Sequence, residues 1–243
     1  MTYCLGMKLD AGMVFVSDSR TNAGVDSVAT FRKSFVFEGA DRIVVILTAG
    51  NLAITQSVIS LLEERLDSSD PARSLYAAAG MYDIARLVGN TVREVFDADG
   101  EHLRQHGAEF AASLIVGGQI KGRRMRLFNV YAAGNFIEAT TDTPYFQIGE
   151  TKYGKPIIER VLTPATPLVH ATKCALVSFD STIKSNLSVA PPLDLVIVPA
   201  DTQRASVRAR IADDDAYWSD LRRRWGEGLR ALFDELPDPP WAE

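Results

Sequence analysis

The first segment of the chain narrows the range of possible folds more than any later one. Residues 2–9 are almost continuously apolar, Asp10-Ala11-Gly12 supplies turn residues, and residues 13–16 are apolar again. Two such runs around a short turn predict a β-hairpin. Because the first strand is apolar enough to be buried on both faces, we expect the start of the chain to lie inside the fold. Most chain termini, in contrast, are poorly ordered at the surface.

The remaining elements follow one another in blocks. Runs rich in β-branched and aromatic residues predict strands at residues 34–38, 42–49, 110–119, 125–130, 145–148 and 193–198. Apolar residues at helical spacing, with start and stop signals, predict helices at residues 52–66, 74–96, 153–161 and 168–179. This blockwise order favours an α+β layered sandwich with antiparallel sheets over a parallel fold in which strands and helices alternate.

The chain carries additional sequence after Pro199. The acidic run Asp213-Asp214-Asp215 predicts the start of an amphipathic helix whose apolar stripe is Trp218, Leu221, Trp225, Leu229, Leu232 and Leu236. We therefore predict a main domain of residues 2–200 and an extension of residues 201–243, a helix with an acidic, proline-rich tail packed on the same domain. The stripe suits either packing within the chain or contact with another subunit.

Composition and charge exclude several classes of protein. The chain of 243 residues has 26 Lys and Arg against 31 Asp and Glu, a net charge of −5, which argues against nucleic acid or an anionic membrane as the main partner. Two cysteines, Cys4 and Cys174, are too few for a disulfide framework. The N-terminal segment lacks a secretion signal, so we expect a cytoplasmic protein.

Short polar motifs elsewhere predict no metal or cofactor site. His102 and His106 are four residues apart, but glycines at 100 and 107 indicate a solvated helix end rather than a metal pair. Residues 97–100 lack the ligand spacing of a calcium loop and predict a turn. The basic residues 121–124 predict a hairpin tip. Without a phosphate-binding loop or dinucleotide fingerprint, we expect neither a cofactor nor ATP hydrolysis.

Thr2 is a candidate nucleophile. An initiator Met1 is generally removed when a small residue follows, and removal would leave Thr2 with a free α-amine. An α-amine has a pKa near ~8, so near neutral pH it can accept the proton of the threonine hydroxyl without the help of a histidine. Hydroxyl and base would then belong to the same residue.

Asp18 and Lys33 are candidates for the charges around this nucleophile. Asp18 ends one predicted strand, and Lys33, flanked by Phe31 and Phe35, opens another. A partly desolvated lysine beside Asp18 would lower the pKa of the Thr2 amine and stabilise the alkoxide. The same pattern also fits a plain salt bridge or two unrelated surface charges.

Several longer strings carry a resemblance to a known family. TYCLGMKLDAGMVFVSDSRTNAG, FRKSF and LTAGN resemble the proteasome β-subunit and HslV class of N-terminal-nucleophile hydrolases. Within that class, the TYCLG opening, QIGETKYGKPI and FDSTIKSNLSVAPPLDLVIV resemble the bacterial, proteasome-like Anbu family. The resemblance spans about residues 2–236. It implies a four-layer αββα sandwich, here with an extra C-terminal helix.

The resemblance also implies a set of site residues. It makes Thr2 the nucleophile, Asp18 the residue that orients the lysine, and Lys33 the charge that tunes the threonine. Gly50, in the LTAGN string, matches the glycine whose backbone N–H contributes to the oxyanion hole.

The supporting residues are less well defined. Where proteasome subunits place a serine-containing loop, this chain has Gly149-Glu150-Thr151. Asp180, Ser181 and Ser185 are our candidates for the supporting cluster of acid and hydroxyl groups. The spacing from Thr2 to Lys33 is also one residue shorter than is commonest in proteasome subunits.

Together these features predict a threonine-type peptidase in a self-assembled ring or spiral, acting on peptides or unfolded proteins. Two alternatives stay open: a proteasome-like scaffold or binding protein with little proteolysis, and a narrow amidase for modified peptides. The resemblance also implies a genomic setting with ATP-grasp-type and transglutaminase-like proteins, while the sequence identifies no partner ATPase.

Overall fold

The computed structural model of the protein describes residues 2–23 and 27–241. Within them the chain forms two five-stranded sheets, a two-stranded ribbon and five α-helices. The strands are β1 (Tyr3–Leu9), β2 (Gly12–Ser17), β3 (Arg20–Ala23), β4 (Ser27–Thr30), β5 (Ser34–Glu38), β6 (Arg42–Gly50), β7 (Ala112–Ile120), β8 (Arg126–Val130), β9 (Phe136–Glu138), β10 (Tyr145–Gly149), β11 (Leu193–Pro199) and β12 (Val207–Ile211). The helices are α1 (Leu52–Glu64), α2 (Met81–Gln105), α3 (Lys155–Val161), α4 (Leu168–Ser185) and α5 (Ala216–Asp234).

Both large sheets are antiparallel throughout the described chain. The first has the strand order β10-β1-β2-β11-β12 and the second the order β5-β6-β7-β8-β9. The predicted N-terminal hairpin is confirmed as β1 and β2, and both strands are almost fully buried. Antiparallel pairing agrees with the blockwise order of elements in the sequence.

Three apolar clusters hold the elements together. One joins facing side chains of the two sheets, including Met13, Phe15, Val45, Leu47 and Ile115. A second packs α1 and α2 on the second sheet, and a third packs α3, α4 and the start of α5 on the first sheet. Because β1 contributes to two of these clusters, its residues are enclosed on both faces, as the sequence predicted.

The register of the first sheet brings three chain segments to one edge. Tyr3 pairs with Gly149 and Cys4 pairs with Ser17. The residues just before β1, just after β2 and just after β10 are therefore neighbours. Thr2 lies in the first of these segments.

The boundaries of α2 differ from the predicted helix at residues 74–96. The Ser74 hydroxyl accepts the backbone N–H groups of Tyr76 and Ala77, and these bonds favour a local turn, so the helix begins only after Gly80. At its other end the helix runs through residues 97–100, so the turn predicted there is wrong. Leu103 packs against the core and extends the apolar face beyond that point.

The sequence pattern missed four strands. These are β3, β4, β9 and β12, each of three to five residues. Strands this short contain too few residues to show an alternation of apolar and polar side chains. They are recognised only from their pairing with neighbouring strands in the structure. Helix α4 also continues past the predicted residue 179 to Ser185.

The C-terminal stripe is divided into a packed half and an exposed half. The Asp215 side chain caps α5 by accepting the Trp218 backbone N–H, and Trp218 and Leu221 are buried in the cluster beneath the helix. Leu232 and Leu236, in contrast, are each 58% exposed. No helix in the described ranges combines the length and apolarity of a membrane span.

Candidate active site

The backbone around Thr2 is held from both sides. The Thr2 carbonyl oxygen accepts the Glu150 N–H at 2.7 Å, and the Tyr3 N–H donates to Asp18 Oδ1 at 3.0 Å. The Asp18 N–H in turn donates to the Tyr3 carbonyl at 3.1 Å. The peptide group that joins Thr2 to Tyr3 is therefore hydrogen-bonded at its oxygen and at its nitrogen, and its plane is fixed.

Asp18 and Lys33 form a buried ion pair. Lys33 Nζ lies 2.9 Å from Asp18 Oδ1, and the exposed fractions of the two residues are 4% and 0%. The Lys33 ammonium also donates to the Arg20 carbonyl. Burial raises the pKa of the Asp18 carboxyl, while the adjacent ammonium and the Tyr3 N–H act in the opposite direction.

The two sheets together position this pair. Asp18 follows β2 of the first sheet, and Lys33 precedes β5 of the second. The Lys33 carbonyl accepts the Thr48 N–H at 2.9 Å, which ties the lysine to β6. One carboxylate oxygen, Asp18 Oδ1, thus binds both the backbone next to Thr2 and the ammonium from the opposite sheet.

A cleft opens beside Thr2. Its volume is about 340 Å³, and its lining residues are Thr2, Thr21, Lys33, Thr48, Ala49, Gly50, Leu52, Thr55 and Gly149. The volume is within the range of small-molecule and peptide side-chain pockets. Thr2, Lys33 and Gly50 therefore face one cavity, and Asp18 holds the lysine from behind.

Gly50 lies where β6 ends and α1 begins. Its φ of +118° is in a region that favours glycine, and a Cβ atom there would be 2.2 Å from the Ala111 carbonyl oxygen. The next residue, Asn51, caps α1 by accepting the Ala53 N–H. A backbone at such a junction is rigid and carries N–H groups near the helix start, which suits binding of negative charge.

Asp180 and Ser185 have other surroundings. Asp180 is buried, and its carboxylate accepts the Arg222 Nε–H of α5 at 2.9 Å. Ser185 is the exposed last residue of α4. Within the described residues neither of them lines the cleft or hydrogen-bonds to Thr2, Asp18 or Lys33, so the structure does not group them with the other predicted site residues.

Glu150, beside Thr2, and Asn186, which contacts Glu150, had no predicted role. The Glu150 side chain is buried and accepts the Asn186 Nδ2–H at 3.0 Å. Glu150 directly follows Gly149, whose φ is +83° and whose added Cβ would lie 1.9 Å from the Thr2 carbonyl oxygen. The glycine followed by a carboxylate was visible in the sequence, but nothing in the sequence pointed to Asn186.

Comparison with known proteins gives a consistent result. No protein-family model and no curated protein matches the chain. Solved structures do match it: Anbu (ancestral beta-subunit) from Yersinia bercovieri is 51% identical, with a TM-score of 0.92 over 99% of this chain and 100% of that one. The chain belongs to the Anbu family. Anbu from Hyphomicrobium sp. strain MC1 is 46% identical, with a TM-score of 0.88 over 98% and 99% of the two chains.

A third Anbu structure adds information on assembly in a relative. The Anbu complex from Pseudomonas aeruginosa, described as a helical assembly, is 49% identical, with a TM-score of 0.93 over 99% of each chain. The resemblance seen in the sequence is thus confirmed. Because nearly all of both chains is matched, α5 is part of the shared Anbu structure.

Proposed function

We propose that this Anbu-family chain is a threonine-type N-terminal-nucleophile hydrolase that cleaves amide bonds in peptides, with its sheets and helices in a four-layer αββα arrangement. The observation that carries the proposal is the shared cleft. Thr2 and Lys33 both line it, and buried Asp18 holds the lysine from behind through a hydrogen bond of 2.9 Å.

The reaction starts at the Thr2 hydroxyl. Its proton passes to the α-amine of the same residue, and Oγ1 attacks the carbonyl carbon of the substrate to give a tetrahedral intermediate. The Gly50 N–H stabilises the oxyanion. The Thr2 ammonium then donates its proton to the leaving nitrogen as the C–N bond breaks, and an acyl-enzyme ester remains.

Water completes the cycle. The free Thr2 amine accepts a proton from a water molecule as that water attacks the carbonyl carbon of the ester. The bond between this carbon and Oγ1 then breaks, the Thr2 ammonium returns the proton to Oγ1, and the carboxylic acid product leaves. Lys33 contributes positive charge beside the reacting atoms throughout, which lowers the pKa of the amine and stabilises the alkoxide. The scheme requires a free amine and therefore removal of Met1, a residue outside the described ranges.

We further propose that the chain acts as a self-assembled oligomer, since the relative from Pseudomonas aeruginosa is described as a helical assembly. In this proposal, the exposed half of α5 supplies part of the contact between copies. In this proposal residues 2–200 form the catalytic domain, although β12 of the segment predicted as an extension pairs with β11 and completes the first sheet. Helix α5 of the same segment packs on that domain and reaches a neighbouring copy.

A threonine-directed electrophile tests the catalytic part of the proposal. A peptide β-lactone should add one acyl group to Thr2, because an activated hydroxyl attacks the lactone carbonyl and opens the ring. Intact mass should show that Met1 is absent, and peptide mapping should locate the adduct. Thr2→Ala should abolish the adduct and keep the fold. An adduct on Cys4, or labelling of protein that retains Met1, would contradict the scheme.

Turnover on peptide libraries separates the peptidase from the alternatives. Labelling together with broad turnover supports the peptidase. Labelling without turnover points to a scaffold, and turnover confined to a few peptides points to a dedicated amidase.

A second experiment tests the role of α5 in assembly. Leu232 and Phe233 are 58% and 74% exposed. Leu232→Glu combined with Phe233→Glu should shift the particle to smaller species in light scattering, because the two substitutions would place charge in an apolar contact. The control Ala231→Glu introduces the same kind of charge on a different face of the helix. If the oligomer persists unchanged in the double variant, this half of α5 makes no contact between copies.

A further inference from the structure

Glu150 is an unusual residue to find beside Thr2. It is 8% exposed, and within the described chain no Lys, Arg or His forms an ion pair with it. A buried carboxylate without a cation costs free energy unless hydrogen bonds compensate for the lost water. Its two oxygens accept the Asn186 Nδ2–H at 3.0 Å and the Lys152 N–H at 3.4 Å.

Asn186 is itself held in place. Its backbone N–H donates to the Thr182 carbonyl at the end of α4, and its Oδ1 accepts the Ser188 N–H at 2.9 Å. The residue is 9% exposed. With its oxygen engaged, Asn186 presents its amide nitrogen to Glu150, which lies 36 residues earlier in the chain. The link therefore joins the end of α4 to the loop after β10.

The backbone of Glu150 connects this link to Thr2. Its N–H donates to the Thr2 carbonyl at 2.7 Å, and the residue before it, Gly149, approaches the same carbonyl too closely for any side chain. On the other edge of the same peptide group, Asp18 binds the Tyr3 N–H. Anchoring the Glu150 side chain therefore anchors one of the two bonds that fix this peptide plane.

We propose that Glu150 and Asn186 form a positioning pair that holds the Glu150 N–H against the Thr2 carbonyl and so directs the Thr2 hydroxyl and amine toward the cleft. The effect on reaction rate rests on the proposed function of Thr2 as nucleophile. Neither residue is assigned a proton transfer. A misplacement of about 1 Å at a nucleophile can cost about 100-fold in rate, so a small shift of the carbonyl has a large expected effect.

An exchange of the two side-chain types tests the pair. Asn186→Asp places two carboxylates together and removes the donor, while adding Glu150→Gln restores one donor and one acceptor with their roles reversed. The introduced aspartate can still accept the Ser188 N–H, and the introduced glutamine can still accept the Lys152 N–H. We expect the rate of Thr2 acylation by a peptide β-lactone to fall about 10- to 100-fold in Asn186→Asp and to recover to within about threefold in the double variant.

A remote substitution supplies the matched control. Gln119 is 2% exposed, and its Nε2–H donates to Asp201 Oδ1 at 2.7 Å, near the end of β7 that lies away from Gly50. Gln119→Glu also sets a carboxylate against a carboxylate. It should lower the melting temperature and leave the acylation rate unchanged, whereas the Asn186→Asp protein should lose rate at temperatures where it is fully folded.

Amide hydrogen exchange gives a readout that needs no chemistry at Thr2. Exchange of the backbone N–H at position 150 should be about tenfold faster in Asn186→Asp and return to the wild-type rate in the double variant. If this exchange changes as expected but the wild-type protein never acylates, the positioning pair stands and the proposed hydrolase activity fails. If neither exchange nor acylation responds to Asn186→Asp, the pair does not position Thr2.

Discussion

Lys33→Ala should reduce the rate of Thr2 acylation by about 100- to 1,000-fold, because it removes the positive charge that faces the reacting atoms from a buried position. In the structure Lys33 lines the cleft with Thr2 and the residue is only 4% exposed, so bulk water screens little of the effect of its charge. The measurement is the second-order rate of acylation by a peptide β-lactone as a function of pH, with thermal melts of each variant.

Two further variants separate charge from shape. Lys33→Arg keeps the charge and should recover little of the rate, because the larger, planar guanidinium cannot take the place of Nζ between Asp18 and the Arg20 carbonyl. Arg32→Ala removes the exposed cation next along the chain and should leave the rate unchanged. A folded Lys33→Ala protein that acylates at the wild-type rate would show that the lysine is purely structural.

Asp18→Asn should lower the free energy of unfolding by about 3–5 kcal/mol, because it leaves the Lys33 ammonium buried without its anion. The asparagine keeps an oxygen that can accept the Tyr3 N–H, so the substitution removes the charge and preserves this hydrogen bond. We also expect the acylation rate to lie between those of the wild-type and Lys33→Ala proteins, since the lysine is still present but is no longer held by the Asp18 carboxylate. Chemical denaturation and the β-lactone rate measure the two effects.

Neutralising both members of the Asp18–Lys33 pair separates the effect on stability from the effect on acylation rate. Asp18→Asn combined with Lys33→Met removes both buried charges and should regain most of the lost stability, since a neutral pair avoids the cost of burying an ion. The same double variant should remain as slow in acylation as Lys33→Ala. A double variant that is stable and fully reactive would exclude the ion pair from the mechanism.

Local patterns identified much of the fold. The apolar runs around Asp10-Ala11-Gly12 predicted the hairpin of β1 and β2, and the blockwise order of elements predicted antiparallel sheets, as observed. Such signals work because burial and turn formation act over a few neighbouring residues. Prediction failed at α2, where the Ser74 hydroxyl stabilises a competing turn and core packing of Leu103 extends the helix past Gly100.

The sequence by itself determined the family and the chemical identity of the residues near Thr2, because the matching strings and the types of side chain can be read directly from the chain. Only the tertiary structure decided which of them meet. It joined Asp18 to Lys33 across two sheets, linked Glu150 to Asn186, and paired Asp180 with Arg222 of α5 away from the cleft. These contacts join residues 15, 36 and 42 positions apart, and the packing of sheets and helices brings them together, which local patterns cannot reveal.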